Sequence, residues 1–385
     1  MATDYYNIDE LLNGEHLAIR ETVRDFVRRA IIPSINELAQ SNEEVPNLMR
    51  QLGELGVLGP FIPIEYGGAG LDYISYGIIM QELEFGDSAV RSAASVQSSL
   101  VMFPIYTFGS EEQKTKYLPK LASGEFVGAF GLTEPNHGSD PSSMETRLIK
   151  YADGFRLNGA KMWITNAPQC ELAIVWARDE EGKVRGVIVE RGDEGFTTPE
   201  IHNKWSLRAS KTGELVFNNV YIPQDRVLPL VSSMKGPLSC LSSARFGISW
   251  GAIGAAMDCY QTALQYASER KQFGKPIAAT QLQQKKLAEM LTEITKAQLL
   301  AWRLGTLKNE NKASPQQISM AKRNNVKMAL DIAREARQVL GAMGIVGDYS
   351  IMRHMMNLES VITYESTHDI HLLITGQDIT GFSAF

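Results

Sequence analysis

The densest set of groups able to move protons lies near the C-terminus, in Thr363-Tyr364-Glu365-Ser366-Thr367-His368-Asp369-Ile370-His371, which holds two acids, two histidines and four hydroxyl-bearing residues. A carboxylate at Glu365 suits a general base. Two other readings stand beside it. Ser366 and Asp369 have the spacing of a helix capping box. Glu365-x-x-His368, echoed by Glu134-x-x-His137, has the spacing of half a di-iron site. The echo is interrupted by Pro135 and followed by Gly138, so it cannot lie on one continuous helix, and no metal site is expected.

Further segments carry groups suited to a flat heteroaromatic ligand. Phe130 to Asp140, FGLTEPNHGSD, stands where helical patterning gives way to strand-like runs. Gly131 and Gly138 permit close backbone approach, and Thr133, Ser139 and the backbone amides offer donors to a ring edge or phosphate. A structural turn accounts for them equally well. Lys161 to Pro168, KMWITNAP, places Trp163 and Thr165 on one side of a strand, although a tryptophan in a strand is commonly core. Glu269 to Pro276, ERKQFGKP, sets Arg270 and Gln272 before Phe273 and Gly274, where a solvated interhelical turn is a sufficient account. Arg91 is the only charged residue between Ser88 and Ser110, so it is expected to be buried and to need a carboxylate. Asp87 at i−4 and Glu84 at i−7 can supply one within a helix; a substrate carboxylate held by the planar fork is the alternative.

The elements that must position these groups follow from periodicity. From Asp9 to about Phe126 apolar residues recur at helical spacing, broken at Pro60, Pro63, Gly67, Gly68 and Gly70. Between about Gly131 and Leu230 short β-like runs alternate with turn signals. After Pro237 long helical patterns return; one runs from Leu287 to Leu304, and another starts at Pro315 behind Ser314 and stops at Gly341. An α–β–α order without βαβ alternation argues against a dinucleotide-binding Rossmann domain. A chain of 385 residues with net charge −6 and no block of like charge is unsuited to nucleic acid or an anionic membrane. Three cysteines without metal or C-x-x-C spacing fit a reducing cytoplasm. Neither a signal peptide nor a membrane-spanning run of about 18 residues is expected.

Taken together, these segments resemble the acyl-CoA dehydrogenase family over nearly the whole chain. G-L-T-E-x-x-x-G-S-D, Gly131 to Asp140, is similar to the family's flavin and CoA loop, and Q-x-x-G-x-x-G-I-x-x-D-x-x-x-x-R-x-x-x-N, Gln338 to Asn357, to its second signature. R-x-Q-F-G-x-P, Arg270 to Pro276, is similar to the segment that reaches the flavin pyrophosphate of a neighbouring subunit. RSAASVQSSLVM from Arg91, LRAS from Leu207, QLQQKKLAEMLTEIT from Gln281 and TYESTHDIH resemble the glutaryl-CoA branch in particular.

The resemblance implies an α+β multidomain fold: an N-terminal helical domain over 1–129, a middle antiparallel β domain over 130–235 and a C-terminal four-helix bundle over 236–385. It implies FAD held by Phe130, Leu132, Thr133, Gly138, Ser139, Trp163, Ile164, Thr165, Arg270, Gln272, Phe273, Gln281, Gln338, Gly341, Thr367 and Asp369. It implies substrate contacts from Arg91, Ser92, Glu84, Ser139, Arg245, Tyr364 and Ser366, the first three around a distal carboxylate. His137, Ala342 and Ser366 depart from the family pattern, Ser366 replacing the glycine that usually follows the base.

The resemblance implies that Glu365 is the catalytic base, that its own N–H and a flavin hydroxyl meet the thioester oxygen, and that the β-hydrogen leaves as hydride to the flavin. Some relatives carry the base at the position of Ala244, but no acid lies between Pro237 and Met257 here. The implied reaction converts glutaryl-CoA to crotonyl-CoA and CO2, since relatives that stop at glutaconyl-CoA lack the tyrosine that Tyr364 supplies. An electron-transferring flavoprotein as acceptor and a homotetramer are implied likewise. The alternatives are a non-decarboxylating glutaryl-CoA or short-chain acyl-CoA dehydrogenase or oxidase and, from another class, a di-iron or structural helical bundle.

Overall fold

The computed structural model describes residues 3–384. Its first part is helical: α1 (Gly14–Phe26), α2 (Ile32–Ser41), α3 (Leu48–Glu54), α4 (Tyr73–Gly86), α5 (Ser88–Ser95), α6 (Phe103–Phe108) and α7 (Glu111–Ala122). The Pro/Gly breaks fall between α3 and α4, and a π-helical segment, Val96–Met102, joins α5 to α6. The middle part is a sheet of β1 (Gly128–Gly131), β2 (Arg147–Tyr151), β3 (Gly154–Thr165), β4 (Leu172–Asp179), β5 (Val184–Glu190), β6 (Phe196–Thr197) and β7 (Thr212–Pro223). Helices then return as α8 (Lys235–Glu269), α9 (Gln281–Asn309), α10 (Pro315–Val339), α11 (Ile351–Thr363) and α12 (His368–Thr380), with a two-stranded hairpin, β8 (Lys271–Gln272) and β9 (Lys275–Pro276), between α8 and α9. The fold class is therefore α+β with helical, β and helical domains in chain order.

The expected antiparallel pairing holds for β2–β3, β3–β7, β4–β5 and β6–β7, but β4 runs parallel to both β1 and β2. Strand β4 lies inside the sheet, and Leu172 to Ala177 are buried on both faces. That explains its unbroken apolar run, which alternation alone would not identify as an interior strand. In the bundle, Ser314 and Gln317 form the capping box that starts α10, with Pro315 in its first turn, and Gly341 follows the helix at φ 60°. None of the helices is long and apolar enough to cross a membrane, and the three cysteines are free and buried.

Two helices are buried all round, which marks them as the centre of the molecule. Every residue of α4 from Ile74 to Glu84 and of α8 from Ser243 to Met257 is buried. They approach along a glycine seam. A β-carbon on Gly254 would lie 1.9 Å from the Gln81 carbonyl oxygen, and one on Gly77 would lie 2.4 Å from the Trp250 ring. Gly254→Ala is therefore expected to cost about 1–3 kcal/mol by overpacking, read as a lower Tm. Gly14→Ala, where a β-carbon meets open space, should leave Tm unchanged or raised.

Candidate active site

Between α11 and α12 the chain turns through Tyr364, Glu365, Ser366 and Thr367. Glu365 and Ser366 are both left-handed, at φ 52° and 78°. Such a conformation costs about 1–2 kcal/mol for each residue with a β-carbon, so the turn must be held from outside. Two buried cations hold it. Lys322 on α10 donates from Nζ to the carbonyls of Tyr364 (2.9 Å) and Ser366 (3.1 Å). Arg245 on α8 donates from Nε to the Glu365 carbonyl (2.9 Å) and from Nη2 to Ser366 Oγ (2.6 Å). The expected Ser366–Asp369 capping box is not formed. Thr367 caps α12, accepting from the Ile370 N–H, because Ser366 is turned to Arg245.

The base candidate has the environment its role requires. Glu365 Oε2 is buried and accepts no hydrogen bond from any described residue, and the Glu365 N–H donates to none of them. Burial pushes the carboxyl up to about 7, against the opposing pull of Arg245, Lys322 and Arg91. Behind the turn His371 is fully buried, and burial drives it down to about 2, so it is neutral. Both Glu-x-x-His spacings fall outside continuous helices: Glu365 is in the turn, and Glu134 and His137 pair as an isolated bridge. Glu134 instead receives Lys161 and the amides of Glu145 and Thr146, and Lys161 with its two amide partners holds it at about 2 although burial pushes the other way. That pair stiffens the loop after β1.

Arg91 and Glu84 are both buried, with Nε to Oε2 at 2.5 Å, and Ser88 Oγ donates to the second Glu84 oxygen (2.8 Å). The pair bridges two helices rather than lying in one, since Asp87 breaks the chain at φ −165°. The Asp87 carboxylate does not pair with the Arg91 guanidinium; only its backbone carbonyl meets the Arg91 N–H. It caps α5 through the Ala89 N–H and receives Arg353 and Asn357 of α11. Gly251 makes room for the pair, as a β-carbon there would sit 2.1 Å from Glu84 Oε2. Arg91 Nη2 donates to the Tyr364 hydroxyl, tying the Arg91–Glu84 pair to the turn that carries Glu365. Ser92 is buried on the same helix and hydrogen-bonds neither Arg91 nor Glu84, whereas Ser88 donates to Glu84. Tyr76, Ser99 and Ser243 add a buried hydroxyl chain with contacts of 2.8 and 3.1 Å.

The proposed flavin residues form two groups. Phe130 and Leu132 are buried and share one apolar cluster with Val96, Leu100, Leu241 and Ala244. The end of β1 and the part of α8 that carries Arg245 therefore border one apolar cluster, and both pack on the π-helical segment Val96–Met102. Thr133 accepts from the Met162 N–H (2.9 Å), and Gly138 and Ser139 are exposed. A β-carbon on Gly138 would meet nothing, leaving space for a ligand, whereas Gly131 is required by Leu215 and Lys161 of the protein itself. Trp163 is 58% exposed, at φ 63° in a bulge of β3, with Ile164 buried and Thr165 part-buried. An exposed indole beside an open loop fits a flat ring system. In the second group, Arg270, Gln272, Phe273, Gln281, Gln338 and Gly341 are exposed at the ends of α8, α9 and α10, and Phe273 at the hairpin tip is 98% exposed. Thr367 and Asp369 lie at the start of α12.

Lys322 was not among the residues singled out from sequence. Its run, AKRNNVK, reads as a solvated helix face. The available signal is position: Lys322 lies four residues after Ile318 and four before Val326, on the buried stripe of α10.

A chain of this order and site falls in a class of thioester-oxidising flavoenzymes. Three family models span it: "Acyl-CoA dehydrogenase, N-terminal domain" over residues 13–125, the middle domain over 129–220 and the C-terminal domain over 235–380. The chain belongs to the acyl-CoA dehydrogenase family. It is similar to glutaryl-CoA dehydrogenase from Mycobacterium smegmatis, with 50% identity, a TM-score of 0.98, and coverage of 100% of this chain and 99% of that one. A glutaryl-CoA dehydrogenase from the same organism in complex with FADH2 is 47% identical, with the same TM-score and coverage. The mitochondrial short-chain specific acyl-CoA dehydrogenase of Homo sapiens is 33% identical over 97% of this chain and 91% of its own length. FAD is the cofactor of this enzyme.

A base at Glu365 works as the carboxylate, so this assignment predicts that activity rises as the group loses its proton. With burial raising the group to about 7, kcat/KM is expected to climb tenfold per pH unit below about 7 and level off above it. A profile at saturating artificial acceptor that is flat between pH 5.5 and 8.5 would contradict this.

Proposed function

We propose that the enzyme oxidises glutaryl-CoA between its α and β carbons and releases the distal carboxyl as CO2, giving crotonyl-CoA. The observation that carries this reading is the buried Arg91, held by Glu84 and joined through Tyr364 to the turn that bears the base. An uncharged acyl chain gives no reason to bury a guanidinium at the end of its pocket. The similarity to glutaryl-CoA dehydrogenases over the whole chain supports it.

Glu365 takes the α-proton on its unpartnered oxygen. The N–H of Glu365, held in place by the left-handed turn, meets the thioester oxygen as negative charge develops there. Phe130, Leu132, Thr133, Trp163 and Thr165 hold the FAD ring system, which when bound supplies the acceptor for the β-hydrogen as hydride. Arg91 orients the distal carboxylate. Glu84 shares that guanidinium, so the carboxylate is held less firmly than by a free cation. This matters because loss of CO2 turns the anion into a neutral molecule, and a strong ground-state ion pair would oppose it. Protonated Glu365 then returns its proton to the carbon framework, and Tyr364 keeps Arg91 and the base in one unit.

Arg270, Gln272 and Phe273 are exposed on the hairpin that follows α8, and Gln281, Gln338 and Gly341 are exposed at the ends of α9 and α10. In this reading they serve the flavin of a neighbour in a homotetramer, and an electron-transferring flavoprotein takes the electrons onward.

Assays of the FAD-loaded enzyme with glutaryl-CoA and butyryl-CoA, with mass spectrometry of the thioester product and detection of CO2, test the reading. Crotonyl-CoA and CO2 from glutaryl-CoA are expected; glutaconyl-CoA as end product, or preference for butyryl-CoA, would refute it. Arg91→Gln, combined with Glu84→Gln to avoid an unpaired buried carboxylate, should lower kcat/KM for glutaryl-CoA relative to butyryl-CoA by about 10- to 100-fold. That is the worth of a hydrogen bond to a charged group, about 1.5–3 kcal/mol.

A further inference from the structure

We propose that Lys322 is a positioning residue for Glu365, fixing the left-handed turn through the carbonyls on either side of the base and supplying positive charge that favours its ionised form. This rests on the reading of Glu365 as the base. Lys322 is 1% exposed in the first half of α10, and among the described residues it forms no salt bridge, its Nζ donating to two backbone carbonyls. A buried ammonium without a bonded carboxylate is costly, so a reason for keeping it is required. Its Nζ reaches Tyr364 O and Ser366 O, the carbonyls that bracket Glu365, and leaves the Glu365 carboxyl oxygen Oε2 without a partner. The turn is thereby held while the reacting atom stays free.

The groups facing Lys322 come from every side. Glu365 pulls its proton affinity up, whereas Arg245 from α8 and Arg91 from α5 push it down, and burial brings the amine to about 7. His368 and His371 of α12 also face it, and both are driven toward the neutral form, first by burial. The charge thus titrates in the same range as the base, and the two groups shift one another.

A purely structural lysine would also donate to the last carbonyls of α11. The two roles separate in kinetics. Lys322→Met removes donors and charge, while Lys322→Gln keeps an N–H donor and removes only the charge. Each FAD-loaded variant is assayed for kcat, KM and the pH profile, with Tm and the flavin spectrum as measures of folding. Lys322→Met should lower kcat by about 100-fold, the effect of a misplacement of roughly 1 Å, with KM changed less than threefold. In both variants the midpoint of the kcat/KM profile should move to higher pH by about one unit, since a lost neighbouring cation disfavours the carboxylate. Lys322→Gln should recover part of kcat at high pH.

Loss of Tm with an unmoved pH profile, or kcat within twofold of the parent in both variants, would overturn the proposal. If Lys322→Met does not fold, the profile of Lys322→Gln decides. Glu365→Gln is the control: turnover surviving there refutes the base reading itself, whereas an inactive Glu365→Gln beside unaffected Lys322 variants refutes only the role of Lys322.

Discussion

A carboxyl group that removes a proton from carbon must be kept from water and left without hydrogen-bond donors, and that requirement works against folding. Glu365 meets it. Burial raises its proton affinity to about 7 and leaves Oε2 unpartnered. The folded protein therefore holds this proton more tightly than the unfolded chain does. The stability associated with it is present below the ordinary carboxylate range and is lost as pH rises through about 7. The rest of the structure offsets this locally, with interactions made to the backbone around Glu365 and few to its side chain. Arg245 and Lys322 grip consecutive carbonyls, and the hydroxyl of Ser366 gives Arg245 a second acceptor. A glycine would enter the left-handed region more readily, but it would remove that acceptor.

The grip depends on helices that are placed by other constraints. Arg245 can reach the turn because α8 is packed against α4 along glycines that let the backbones meet. Arg91 can do so because α5 starts at Asp87, and Asp87 is braced by Arg353 and Asn357. Asn357 also accepts from the Leu207 N–H, which joins this brace to the segment between β6 and β7. A polar network of this kind fixes one arrangement of the helices only if its members are satisfied.

The helical and β segments were legible in the sequence because their periods differ, and so was the cluster around Glu365, because its polar density is high. What could not be read was pairing between distant segments. β1 runs parallel to β4 some forty residues later, and periodicity within each strand carries no record of its partner. Asp87 and Glu84 are both acids at plausible spacing from Arg91, and only the break between α4 and α5 decides between them. Arg353 and Asn357 were visible as parts of a signature, yet their partner lies about 270 residues earlier in the chain. Lys322 was hidden for the opposite reason: its neighbours are charged, and the apolar stripe to which it belongs appears only when Ile318 and Val326 are counted with it.

The charges around the turn also bear on which thioester the pocket suits. Arg245, Lys322 and Arg91 all act on Glu365, and among the groups bonded to these cations only Glu84 adds a second carboxylate. With Glu365 ionised and Lys322 protonated, positive charge is in excess among largely buried groups, where imbalance is felt strongly. Lys322 can relieve it by releasing its proton, and its affinity near 7 makes that easy at neutral pH. A substrate with a terminal carboxylate relieves it differently, by bringing the missing negative charge to Arg91. A chain ending in a methyl group does neither. On the proposed reading, specificity for a dicarboxylic thioester therefore rests on the balance of all five charged side chains, and Arg91 is the member of that set placed to touch the substrate's far end.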